Sequence, residues 1–246
     1  MLNTNYLNSI LKELNLHIER TDNGEYIISN YTDNITDRLS RKEGFYEYSF
    51  TKDDINYHLK ITNKSLTITN DLRETIILDN NGFEYYQREP KKEQNLAFVS
   101  IQKNILSFYQ NKQNKDHPNE RYSISVKIHN APNYFVLYDL SETQTINGEH
   151  KKDSSVSHED GVLVRKYTER HYDINGHLAG GNTQEETIDE EMESYVISEV
   201  SSFEHVNELI TRIDSLVPGI LDILYDINPH LRTIVNNINK KSYKLM

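Results

Sequence analysis

Three of the four Asn-Gly pairs in this chain, each between runs rich in alternating or β-branched residues, constrain its fold more than any other feature. They are Asn23-Gly24, Asn81-Gly82 and Asn175-Gly176. A two-residue type I′ turn needs positive φ at both central residues, which Asn and Gly adopt at little cost. We therefore expect each pair to form a tight turn between antiparallel strands.

The first half of the chain predicts a β-meander accompanied by two helices. Apolar residues at helical spacing indicate an N-terminal helix over 4–15, and strand-like runs follow from residue 16 to residue 87. Helical spacing recurs behind Pro90, which a first helical turn accepts, and it predicts a mid-chain helix over 91–111. The apolar residues of that second stripe are Phe98, Ile101, Ile105 and Phe108.

The second half predicts more strands and then a helical C-terminal third. Residues 119–182 contain further strand-like runs, but 141–160 lacks apolar periodicity and is expected to be a mobile loop. From about residue 185 the spacing becomes helical. The positions expected to be buried there include Ile210, Ile213, Ile220, Leu224, Leu231, Ile234 and Val235. The predicted fold is α+β, with segments 1–114, 119–182 and 183–246.

Negative charge is concentrated in one segment, residues 185–208. The whole chain carries a formal net charge of −11, and this segment holds nine acidic residues and no Lys or Arg. Like charges this close repel one another unless they are screened or matched, so the segment favours a basic protein partner. The predicted contact residues are Glu185, Glu186, Asp189, Glu190 and Glu193.

Composition excludes several other classes of function. The chain has no cysteine, so disulfides, thiol chemistry and Cys-ligated metals are absent. No basic face is available for phosphate backbones, and direct nucleic-acid binding is not expected. No signal peptide or membrane-length apolar run occurs, which predicts a cytoplasmic protein that does not bind membranes. We predict no cofactor, no metal ligand and no catalytic residue.

The main alternative is a metal-dependent hydrolase or nuclease. Two stretches loosely match the Asp followed by Glu-x-Lys that holds Mg²⁺ and positions a water: Asp79 with 89–91, and Asp139 with 149–151. Histidines and carboxylates also gather at 158–160 and at 171–177, and both groups are suited to Zn²⁺ or Mn²⁺.

The favoured function is non-enzymatic protein binding, of an inhibitor, immunity or anti-defence type, in which an acidic surface engages a basic partner. A third possibility is a structural subunit of a phage or cell assembly. Over-use of Asn, Ile, Lys and Tyr is typical of an AT-rich genome, which suggests a bacterium or its phage as the source.

Overall fold

The structure is a computed structural model with a β-rich body and a helical C-terminal third. It describes residues 8, 11–12, 16–20, 22, 26–30, 36–38, 45–52, 54–62, 64–88, 95–113, 121–131, 134–145, 148–159, 162–188, 192–217 and 219–243. The strands are β1 (Leu16–Arg20), β2 (Tyr26–Asn30), β3 (Thr36–Arg38), β4 (Phe45–Lys52), β5 (Ile55–Thr62), β6 (Ser65–Asn70), β7 (Glu74–Asp79), β8 (Gly82–Arg88), β9 (Asn95–Gln102), β10 (Ile105–Gln113), β11 (Arg121–Ala131), β12 (Tyr134–Thr145), β13 (Glu149–Glu159), β14 (Val162–Tyr172) and β15 (Leu178–Ile188). The helices of the C-terminal third are α1 (Met192–Val200), α2 (Glu204–Leu216), α3 (Ile220–Ile227) and α4 (Pro229–Tyr243).

The strands form a long antiparallel meander. β4 to β15 make one twelve-stranded sheet in which each strand pairs with the next one along the chain, and β1, β2 and β3 make a separate three-stranded sheet. The predicted α+β class with an antiparallel meander and a helical C-terminal third is therefore confirmed. No helix in the described ranges combines the length and apolar character that a membrane crossing requires.

Two of the three expected Asn-Gly turns between antiparallel strands are confirmed, but neither Asn81 nor Asn175 has a positive φ, so neither turn is of the two-residue type I′. Asn81-Gly82 lies between β7 and β8, where the Oδ1 atom of Asp79 accepts hydrogen bonds from both backbone N–H groups at 2.7 and 3.1 Å. Asn175-Gly176 lies between β14 and β15, and the φ of Gly176 is +81°. The pair Asn23-Gly24 lies outside the described residues, but the strands on either side of it, β1 and β2, pair antiparallel.

The predicted mid-chain helix over 91–111 is wrong, because β9 and β10 occupy most of it. The buried apolar residues on these strands are Ala97, Val99, Ile101, Leu106 and Phe108. They alternate with a period of two on each side of the turn at 103–104, while Phe98 and Ile105 are only half-buried. Two short strand alternations that meet across a turn thus imitate helical spacing.

The predicted loop 141–160 is also a misassignment, because residues up to 145 belong to β12 and residues 149–159 form β13. These two strands pair with each other along eight positions. The segment has no apolar periodicity because most of β13 is half-exposed, with only Ser154 and Val156 buried in its described part. Across the predicted boundary at 114–119, β10 pairs with β11. The division into three domains stays a prediction.

The core lies between one face of the large sheet and the C-terminal helices. Alternate residues of β5 to β11 point into it, and the seven positions predicted in the C-terminal third are all buried, as expected. At the N-terminus, the described residues Asn8, Leu11 and Lys12 are helical, and Leu11 is fully buried. The remainder of the predicted helix 4–15 lies outside the described residues.

Candidate functional site

The acidic segment 185–208 is divided between a strand and two helices. Glu185 and Glu186 lie near the end of β15, so the helix expected from residue 185 is wrong at its start and begins only at α1. This stretch includes the β-branched residues Thr183, Thr187 and Ile188, and it pairs with β14. Glu193 lies on α1, whereas Asp189 and Glu190 are outside the described residues.

Basic residues on the neighbouring strand β14 supply counter-charges that the segment itself lacks. Lys166 lies 3.7 Å from Glu185, and Arg165 lies 3.4 Å from Glu186. The assumption that these carboxylates are unmatched is therefore wrong, although the side chains of Glu185 and Glu186 remain 59% and 60% exposed. Exposed pairs at such distances contribute little to stability, so the two carboxylates can exchange partners readily.

Arg165 joins the start of this segment, at Glu186 on β15, to α1. Its guanidinium donates to Tyr195 Oη at 3.2 Å and pairs with Glu199 at 3.1 Å. Burial raises the pKa of Glu199 above its ordinary value, although the charge of Arg165 opposes that rise. A cavity of about 250 Å³ lies beside this group, lined by Arg165, Tyr167, Gln184, Glu185 and Glu186.

β15 is an edge strand with an exposed surface. Nine of its eleven residues are exposed, and no described strand pairs with its outer side. Its first seven residues, 178–184, carry no charge. Leu178 is 63% exposed at the start of the strand. The strand therefore offers a long run of edge backbone groups that end at two carboxylates.

A histidine and carboxylate cluster lies on β13 and β14. His150 Nε2 is 2.6 Å from Glu169 Oε1, and His171 Nε2 is 3.9 Å from the same oxygen. The two imidazole rings stack with their centroids 4.2 Å apart and their planes 18° apart. One ligand atom from each of the three residues lies within 4.8 Å of the others.

The strand register explains why these three side chains meet. His150 lies directly opposite His171, and residues that are opposite in an antiparallel pair project from the same face. Glu169 is two residues from His171 on one strand, so it shares that face. Arg165, which contacts α1, is also on this face, and the cluster therefore lies just beyond the helices on the face that they cover.

The other carboxylates of the hydrolase alternative do not converge. Asp139 lies opposite Ser155, whereas Glu149 lies opposite Thr145, six strand positions away. At ~3.3 Å per residue this is about 20 Å, too far for one metal ion. Asp79 accepts the hydrogen bonds of a turn, and residues 89–91 lie outside the described residues.

Of the histidine group at 171–177 in that alternative, His171 belongs to the cluster on β13 and β14, whereas Asp173 and His177 lie at a turn. Asp173 caps the β14–β15 turn by accepting hydrogen bonds from the backbone N–H groups of Asn175 and His177, at 2.8 and 2.9 Å. These bonds outweigh desolvation and lower the pKa of the Asp173 carboxyl. The side chains of 158–160 lie outside the described residues.

The sequence indicated His171 and His150 as parts of two separate groups, and it did not indicate Glu169. The spacing of Glu169 and His171 could have indicated that their side chains meet, since residues two apart on a strand share a face. The position of His150 depended on the register. No family model, curated protein or solved structure matches this chain.

Proposed function

We propose that this chain is a non-enzymatic protein-binding protein whose acidic surface engages a basic partner, and that the partner adds a strand to the edge of β15. The observation that supports this is the exposed edge of β15, which ends at Glu185 and Glu186. An extended segment that pairs with such an edge gains main-chain hydrogen bonds, while its side chains provide specificity. Inhibitor, immunity and anti-defence proteins are the classes in which we place this mode of binding.

The charge of the edge defines the partner. Basic side chains on an added strand would approach Glu185 and Glu186, whose present ion pairs are exposed and long. Opposite potentials steer the encounter and raise the on-rate. Steering of this kind is screened within a Debye length of about 8 Å at physiological ionic strength. Association should therefore slow as salt rises from about 50 to 500 mM.

The first test separates charge from fold. Affinity capture from the native host with mass spectrometry supplies the partner, and surface plasmon resonance then measures its on-rate. We expect Glu185→Gln with Glu186→Gln to lower the on-rate at low salt. The matched control is Glu84→Gln with Asp222→Asn, which has the same net charge but changes β8 and α3. Equal on-rates for wild type and the β15 variant at low salt would show that the acidic surface does not take part in binding.

The second test addresses the strand edge. The backbone N–H groups of consecutive residues in a strand point to opposite sides. Of Thr183 and Gln184, one therefore directs its N–H toward β14 and the other toward the free edge. Proline at the first position removes a hydrogen bond to β14, and proline at the second (the edge substitution) removes a donor that a partner strand would use. The edge substitution should preserve the melting temperature and abolish binding. Retention of full affinity by both Thr183→Pro and Gln184→Pro would contradict strand addition.

The structural-subunit alternative predicts self-association instead. Two copies could pair through their β15 edges, where residues 178–184 carry no charge. Sedimentation velocity at micromolar concentration distinguishes the two cases, since a binder stays monomeric without its partner. Large assemblies that are lost in the edge proline variant would favour a structural subunit.

Metal-dependent hydrolysis is a second candidate, because the cavity beside Arg165 lies on the same face as His150, Glu169 and His171. Tyr167, which lines that cavity, is two residues from Glu169 on β14. Hydrolysis of an activated phosphodiester in the presence of Zn²⁺, lost in His171→Ala, would favour this candidate over the binder.

A further inference from the structure

We propose that His150, Glu169 and His171 bind one divalent transition-metal ion, Zn²⁺ in particular, on the exposed outer part of the β13–β14 pair. The donor set is two imidazole nitrogens and one carboxylate oxygen, which are ligands that Zn²⁺ commonly takes from proteins. The site does not depend on a protein partner, so it can be tested with the chain alone.

The distances between the donor atoms are close to what one ion requires. Metal–ligand bonds of about 2.0–2.1 Å in a tetrahedron place the ligand atoms about 3.3 Å apart. The Glu169 oxygen lies 2.6 Å from His150 Nε2 and 3.9 Å from His171 Nε2, on either side of that value. In the stacked arrangement the two ring planes are nearly parallel, so the imidazoles must turn apart before both nitrogens face one ion.

The backbone holds the donors in place before any ion arrives. His150 and His171 are opposite each other in a continuous antiparallel ladder, so their Cβ atoms are about 5 Å apart. Because both residues lie on paired strands, no loop has to become ordered when the ion binds. The cost in conformational entropy is therefore confined to the side chains.

One coordination position remains open toward solvent. Gly180 of β15 lies opposite His171 and has no side chain, and a Cβ placed there would meet nothing within 4 Å. Three protein ligands and one water complete a tetrahedral site of the open kind. Mg²⁺ and Ca²⁺ prefer sets of oxygen ligands, so this donor set selects against them.

Isothermal titration calorimetry of the chelator-treated full chain tests the proposal. We expect one Zn²⁺ per chain with a dissociation constant in the micromolar range, and no binding of Mg²⁺. His150→Ala and His171→Ala should each weaken Zn²⁺ binding by about tenfold or more. The matched control is His177→Ala in the turn between β14 and β15, because the side chain of His177 is 80% exposed and lies outside the cluster.

A second readout uses Co²⁺ in place of Zn²⁺. Coordination by two imidazoles and a carboxylate should give visible absorption bands that saturate at one equivalent and disappear in His171→Ala. That side chain is 53% exposed, so its substitution should leave the melting temperature of the metal-free chain unchanged. Absence of saturable binding below millimolar Zn²⁺, or an equal loss in His177→Ala and His171→Ala, would overturn the proposal.

Discussion

At the scale of single residues, the histidine of α2 is buried with one ring nitrogen unsatisfied. His205 is 4% exposed, and its Nε2 atom has no hydrogen-bond partner among the described residues. Burial lowers the pKa of His205 to about 4, and the positive charge of Lys112 adds to this effect while Glu208 opposes it. The imidazole is therefore neutral in the folded protein at neutral pH.

Acid should destabilise the fold through this histidine. The pKa of His205 is lower in the folded state than in the unfolded state, so its contribution to stability is fully present above about pH 6.5 and is lost as pH falls to about 4. The loss is on the order of 3 kcal/mol. His205→Leu should remove that part of the pH dependence, as measured by urea unfolding at several pH values.

The control for this prediction is His177→Leu, which changes an exposed histidine and should leave the pH profile unchanged. The relevant quantity is the difference in unfolding free energy between wild type and His205→Leu. That difference should shift steadily between pH 6.5 and 4 and be constant above this window. Parallel pH profiles for wild type and His205→Leu would contradict the prediction, because they would mean that His205 takes up its proton at the same pH in the folded and unfolded states.

At the scale of elements, one ion pair with a buried carboxylate anchors α2 to the sheet. Arg212 of α2 donates to both carboxylate oxygens of Glu74 on β7, at 2.7 and 2.5 Å. Tyr85 and Asn70 donate to the same carboxylate at 2.9 Å each. Burial alone would raise the pKa of Glu74, but hydrogen bonds from Arg212, Asn70 and Tyr85 outweigh it and lower that pKa below 4.5. The ionised Glu74 carboxylate therefore stabilises the fold at pH values above about 4.5, and this stabilisation is lost as the pH falls through the lowered pKa.

Removing one partner of this pair should cost more than removing both. Arg212→Met leaves the Glu74 carboxylate, which is 2% exposed, without its cation, and we expect a loss of about 3 kcal/mol. Glu74→Leu with Arg212→Met removes the buried charge and should recover part of that loss. Chemical denaturation of the two single variants and the double variant measures the coupling, and additive losses would contradict an anchoring pair.

The elements that the sequence predicted correctly are those determined by local patterns. Asn81-Gly82 needs only its own backbone conformation and the Asp79 side chain to form a turn. The apolar spacing of 210–235 likewise predicted burial without knowledge of the sheet. In contrast, Glu74 and Arg212 are 138 residues apart, so no local pattern in the sequence could predict their ion pair. The contact of His150 with His171 depends on the register of two polar strands, which no apolar pattern determines.

At the scale of the whole molecule, the sheet extends beyond the helices that cover it. The buried alternation runs from β5 to β11, and in β13 to β15 the buried residues among those with described side chains are Ser154, Val156 and Leu163. Residues 165–172 of β14 are half-buried or exposed, and β15 has no buried residue. The proposed partner edge and the proposed metal site both lie in this uncovered region. Strands without a core are expected to open at lower free energy than the rest of the fold.

Hydrogen exchange should therefore divide the sheet into two parts. Amides of β9 and β10, whose alternate side chains are fully buried, should exchange only on global unfolding, whereas amides of β15 should exchange through local opening. Mass spectrometry of peptides from 97–108 and from 178–188 compares the two rates at neutral pH. Saturating Zn²⁺ should slow exchange in 149–153 and 167–172 in wild type, and it should have no effect in His171→Ala. Uniform protection across all four peptides without metal would mean that the uncovered strands are as stable as the core.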